Sequence, residues 1–150
     1  MAKVQRSIYI DIDGVCLRST LSTVTGIEPA PHCFEFLRWA VKTHRPRWLT
    51  TRDSHGHHDG ILRAFRLALG VAALPAEIDA LIRSVDPTKW SGDKTTGIDL
   101  SSDFVWVDDA PLGFEIDALR GHNVLDRLVV IDNKDDSGRL RAIDAVRRMC

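Results

Sequence analysis

The sequence predicts an α/β protein: a three-layer, Rossmann-like domain in which helices cover both faces of a mainly parallel sheet. Three observations carry that expectation. Short β-branched and aromatic runs alternate with helical patterns along the chain, the order that builds βαβ units and a parallel sheet. Three apolar runs end abruptly in polar residues, and in such sheets ligands bind outside the carboxyl ends of the strands. A length of 150 residues suits one domain, spanning residues 1–150, large enough to cover a sheet on both sides.

The elements follow in order. Residues 7–15, Ser-Ile-Tyr-Ile-Asp-Ile-Asp-Gly-Val, read as a buried strand with carboxylates at its C-terminal end. Residues 14–30 read as irregular, rich in Ser, Thr and Gly. Pro31 opens a helical pattern through His44, with Cys33, Phe34, Leu37, Ala40 and Val41 on one face. Pro46 stops that helix, and residues 47–50 form a second strand. A polar loop over 51–59 leads to a helix at 59–69, which Gly70 caps. A helix at 76–85, a loop through Gly92 and a short helical segment near Lys94 precede a strand at 103–107. A helix at 111–119 and a strand at 128–131 follow. In the tail, Leu140, Ile143, Val146 and Met149 form one helical stripe.

Hydrophobic residues make up 44% and charged residues 27% of the chain, the balance of an ordinary globular protein. A net charge of −1 argues against a strongly electrostatic nucleic-acid binder. Three cysteines without paired short spacing fit neither a disulfide framework nor a zinc ribbon. No apolar run approaches the ~20 residues that span a bilayer. The expectation is a cytoplasmic protein with no membrane partner.

The strand ends carry the chemistry. Asp11 and Asp13 stand at i and i+2, a spacing that points two strand side chains the same way, and Gly14 permits a sharp turn behind them. A calcium loop needs further oxygen ligands at regular spacing, which Val15-Cys16-Leu17-Arg18 do not supply. Asp108 and Asp109 form a second acidic pair behind an apolar strand. With Asp11 they supply the hard oxygens that Mg²⁺ prefers, and several carboxylates on one rim call for a cation. Thr50, with Thr51 as the alternative, offers a hydroxyl and backbone N–H groups to a phosphoryl oxygen. Lys94, with Lys89 as the alternative, would neutralise charge on a bound phosphate.

In this order the motifs resemble the haloacid dehalogenase-like hydrolase superfamily. Ile8-Tyr-Ile-Asp-Ile-Asp-Gly-Val15 looks like its first motif, and Trp48-Leu-Thr-Thr51 looks like its second. Gly92-Asp-Lys-Thr95 is similar to its third, and Val105-Trp-Val-Asp-Asp109 to its fourth. Receiver domains gather similar groups, but their acidic pair comes first and their phosphorylated Asp later, an order this chain does not follow.

The resemblance implies a Mg²⁺-dependent phosphatase. Asp11 would be the nucleophile that forms an aspartyl-phosphate, and Asp13 the general acid and base. Mg²⁺ would bind the Asp11 side chain, the Asp13 backbone carbonyl and the Asp108/Asp109 pair, with Asp109 nearest the ion. Thr50 and Lys94 would hold the phosphoryl group. To start as an acid in that role Asp13 needs a raised pKa, which crowding among carboxylates would supply.

Neither residues 15–45 nor 52–93 look long enough for a separate cap domain. The open site implied would take a large phosphorylated substrate such as a phosphoprotein or a nucleic-acid end, or a neighbouring subunit in a homo-oligomer would close it over a small phosphorylated metabolite. Two alternatives stand beside the phosphatase. One directs the same chemistry at nucleic-acid ends; the other is a non-catalytic Mg²⁺-binding module. The His-rich segment at 53–59 reads as a polar loop near the rim, with metal or substrate contact as the sharper alternative. The four tryptophans read as core residues. Arg139, Arg141, Arg147 and Arg148 read as a solvated helix face.

Overall fold

Alternation along two strands sets the layers. In β1 (Ser7–Ile10), Ile8 and Ile10 join one buried cluster and Tyr9 joins another across the sheet. In β5 (Phe104–Asp108), Val105 and Val107 belong to the first cluster, Phe104 and Trp106 to the second. Such a period of two, apolar on both sides, is what a strand covered on both faces requires. The computed structural model describes residues 5–149.

β4 (Arg45–Trp48), β1, β5 and β6 (Leu128–Val130) form one sheet in the order β4-β1-β5-β6, with every pairing parallel. Ile10 lies beside Trp48 on one side and Val107 on the other. From the central β1 the chain passes to β4, then crosses to β5 on the opposite side. The reversal makes the carboxyl end of β1 a topological switch point, where a crevice opens.

Four helices supply the first cluster: α1 (Cys33–Thr43) through Phe36, α2 (Asp59–Leu69) through Phe65, α3 (Ala76–Arg83) through Ile82 and α5 (Gly138–Arg148) through Val146. On the other face, α4 (Gly113–Gly121) brings Leu119 to Tyr9 and Trp106. The expected three-layer α/β architecture is therefore present. Trp48 and Trp106 are fully buried, and Trp39 and Trp90 pack partly buried against the two clusters. Among the described residues no helix is long and apolar enough to cross a membrane.

Several local expectations need correction. Residues 14–30 are not simply irregular: β2 (Leu17–Ser19) and β3 (Ile27–Pro29) pair antiparallel. Strands of three residues are too short for periodicity to reveal. Pro46 lies within β4 rather than ahead of it. β4 is an edge strand, and its outer side meets the Asp86 backbone, which accepts from Trp48 N–H and donates to the Pro46 carbonyl. Pro46 tolerates this place because an edge strand can spare an outward N–H. Phe36 enters the buried face of α1, while Phe34 and Val41 are only partly buried. Arg139 is no part of a solvated face. It is fully buried, donating to the carbonyls of Val15 (3.4 Å) and Asp135 (2.7 Å).

Candidate functional site

β1 ends at Ile10, and the next residue carries the first site side chain. Asp11 is 5% exposed and its Oδ1 accepts the Ile12 N–H at 2.7 Å. Asp108 closes the neighbouring β5 and is 1% exposed; its Oδ1 accepts the Ala110 N–H at 3.0 Å. Parallel pairing of β1 with β5 therefore sets two buried carboxylates side by side at the switch point. Lys94 begins a short 3₁₀ segment (Lys94–Gly97) and reaches between them. Its Nζ lies 3.1 Å from Asp11 Oδ2 and 2.7 Å from Asp108 Oδ2.

Asp109 completes the cluster. Asp11, Asp108 and Asp109 each offer an oxygen, and these oxygens lie within 4.8 Å of one another. Gly14 makes room for the third. Its φ is +83°, and a Cβ there would overlap the Asp109 carboxylate. Glycine is thus required twice, for the left-handed turn and for the close approach.

The electrostatics follow from this crowding. Burial, reinforced by the Asp108 charge, pushes the Asp11 carboxyl up to about 7, against the opposing pull of Lys94 and the Ile12 N–H. Burial and Asp108 also raise Asp109. Burial alone would lower the Lys94 ammonium, but the carboxylates of Asp11 and Asp108 hold it above its ordinary value. Three carboxylates against one ammonium leave excess negative charge, and an all-oxygen donor set suits a hard divalent cation. The residues fit a metal ion on both counts.

Asp13 stands apart from that cluster. The i, i+2 argument needs the strand to continue through Asp13, but the chain turns after Asp11. The Val15, Cys16 and Leu17 N–H groups all bond to the Ile12 carbonyl. Arg52 instead grips the Asp13 carboxylate with Nε at 2.9 Å and Nη2 at 2.8 Å. The crowding expected at Asp13 falls on Asp11.

The second strand end behaves differently from the first. Thr50 is fully buried and its hydroxyl accepts the Arg52 N–H at 3.0 Å, while Thr51 is exposed. Of the two lysines considered, Lys94 meets the carboxylates; Lys89 packs beside Gly56. The His-rich segment is ordered by Asp53, whose carboxylate accepts the N–H groups of His55, His57 and Gly60. His58 Nε2 bonds the Val85 carbonyl at 2.8 Å. Among the described residues, the one group of three or more side chains that could hold a metal is Asp11, Asp108 and Asp109.

Two residues of the site went unread in the sequence. Arg52 had no signal beyond its place after Thr50-Thr51. Glu115 is buried in the first turn of α4, where it accepts the Leu112 N–H at 2.8 Å and the Lys94 N–H at 2.7 Å. It fixes the backbone from which the Lys94 side chain extends. An acidic residue three positions into a helix is a capping signal, but the bond to Lys94 is long-range and leaves no local trace.

No protein-family model matches the chain, and no curated protein matches it.

Proposed function

We propose that this chain is a Mg²⁺-dependent phosphatase of the haloacid dehalogenase-like type, acting through an aspartyl-phosphate on Asp11. The observation that carries the reading is the convergence of Asp11, Asp108, Asp109 and Lys94 at the carboxyl ends of two adjacent parallel strands. The order of the four sequence motifs agrees with it.

In this reading an Asp11 carboxylate oxygen bonds to phosphorus as the ester P–O bond breaks. Asp13 gives a proton to the leaving oxygen. Water then attacks phosphorus, Asp13 takes its proton, and the bond to Asp11 breaks to release inorganic phosphate. Arg52 donates one hydrogen bond to each Asp13 oxygen, which leaves a second lone pair on each to carry the proton. Lys94 stabilises negative charge on the nucleophile and on the transferring group. Thr50 fixes the turn that presents Arg52. When bound, Mg²⁺ would neutralise charge among Asp11, Asp108 and Asp109, with the Asp13 backbone carbonyl as a further oxygen.

Hydrolysis of p-nitrophenyl phosphate, with Mg²⁺ or with EDTA, tests the proposal in wild type and Asp11→Asn. Metal-dependent turnover in wild type, falling by at least about 10³-fold in the variant, is expected. Turnover that survives Asp11→Asn removes Asp11 as the nucleophile.

A further inference from the structure

A polar groove of about 670 Å³ runs away from the carboxylate cluster, and the β2–β3 hairpin forms one of its walls. Asp13, Gly14 and Asp109 line its inner end. The hairpin contributes Arg18, Ser22 and Glu28, while Asn133 and Lys134 from the loop after β6 form the opposite wall. The two walls are tied together. Arg18 pairs across the hairpin with Glu28 at 2.9 Å and reaches Asp136 beyond the groove at 2.9 Å. Asn133 Nδ2 donates to Asp109 Oδ2 at 3.4 Å, joining the loop to the cluster. Lys134 forms no ion pair among the described residues.

The lining says what chemistry suits it. No aromatic side chain lines the groove among the described residues, so a nucleobase finds no stacking platform. Asp13 is paired with Arg52 and Arg18 with Glu28 and Asp136, so Lys134 is the one cation lining the groove with no ion pair among the described residues. A polyanionic strand needs a positive track, which one such lysine does not make. What remains is a dense mixture of hydroxyl, amide, carboxylate and ammonium groups, able to donate to and accept from neighbouring hydroxyls.

We propose that this groove binds the leaving group of the substrate, and that the substrate is the phosphate monoester of a small polyhydroxylated molecule, a sugar or polyol phosphate. The inference rests on the phosphatase reading above for the place of the phosphoryl group. Glu28 accepts from substrate hydroxyls, and Lys134 and Asn133 donate to them.

The experiment compares kcat/KM for glucose 6-phosphate, ribose 5-phosphate, AMP, a 5′-phosphorylated oligonucleotide and p-nitrophenyl phosphate. It uses wild type, Glu28→Gln and Lys134→Ala, with folding of each checked by circular dichroism. Lys134→Ala leaves the Arg18 network intact, so it stays informative if Glu28→Gln disturbs the hairpin. A sugar phosphate is expected to exceed AMP and the oligonucleotide by at least about 10-fold. Each variant is expected to lower its kcat/KM about 10-fold more than that of p-nitrophenyl phosphate, the size of one lost hydrogen bond. Preference for AMP or the oligonucleotide, or equal losses on sugar and aryl esters, overturns the proposal. If no ester is turned over, the phosphatase reading fails separately, and calorimetric titration with both sugar phosphates decides for the groove. Binding that the variants weaken upholds it; no binding overturns it.

Discussion

At the scale of residues, the site is a set of charges held where none would choose to be. Asp11 is buried beside Asp108, and burial with that neighbour raises its carboxyl from the ordinary 3.8 to about 7. A group raised on folding contributes stability that is fully present below its unfolded value and lost as pH rises through the folded one. In EDTA, Asp11→Asn is therefore expected to melt higher than wild type at pH 8, where the native carboxylate is charged. The difference should shrink at pH 5, where the native side chain is neutral. Thermal melts at the two pH values check this, and a variant less stable than wild type at both would contradict it. Charge burial of this kind is a common mark of functional sites. Gly14, Glu115 and Arg52 show the supporting shell: one clears space for Asp109, one anchors the Lys94 backbone and one holds Asp13.

At the scale of elements, helix α2 illustrates how a loop becomes part of the architecture. His58 precedes the helix without a side-chain capping bond. Asp53, five residues earlier, accepts the Gly60 N–H in its place and those of His55 and His57 as well. Burial alone would raise the Asp53 carboxyl, but these three bonds, aided by the His57 charge, hold it below its ordinary value. Gly60 is tight against this loop, because a Cβ there would overlap the Arg52 carbonyl. Removing a capping side chain costs about 1 kcal/mol, and Asp53→Ala is expected to lose that much in urea denaturation at pH 7. A depressed carboxylate stabilises above its unfolded value of 3.8 and loses that contribution as pH falls through the folded one. The gap between wild type and variant should therefore close below about pH 4. A constant gap from pH 7 to pH 3 would assign the loss to packing instead. The β2–β3 hairpin is the second element with a consequence, since its Arg18 ties the groove walls together.

For the whole molecule, a metal bound at the carboxylate cluster would be linked to folding. The oxygens that could hold it come from the ends of β1 and β5, more than ninety positions apart in sequence and adjacent only in the sheet. An ion that binds the folded chain alone adds about 2.7 kcal/mol at 100 times its Kd. For a chain of this size that raises Tm by roughly 5–10 °C. Mg²⁺ is expected to produce such a rise in wild type and not in Asp109→Asn. Equal melting temperatures in Mg²⁺ and EDTA would count against a metal at this cluster. Because the readout needs no substrate, it separates the metal from the reaction.

The sequence by itself determined the α/β class, the apolar strands that became β1 and β5, and the acidic residues that end them. It did so because burial on both faces leaves a continuous apolar run, and because a run that stops at a carboxylate marks a strand end. Helix α2 was legible for a similar reason, with an apolar period of 3.6 and Gly70 at its C-cap. Tertiary structure decided the rest. Asp13 left the cluster because the chain turns one residue after β1, a matter of hydrogen bonds to the Ile12 carbonyl. Lys94 took its place between Asp11 and Asp108 because Glu115, twenty-one positions away, holds its backbone. Arg139 was drawn into the interior by the carbonyls of Val15 and Asp135. Each depends on a partner distant in sequence or on a turn too short to carry a period, and local pattern holds no record of either.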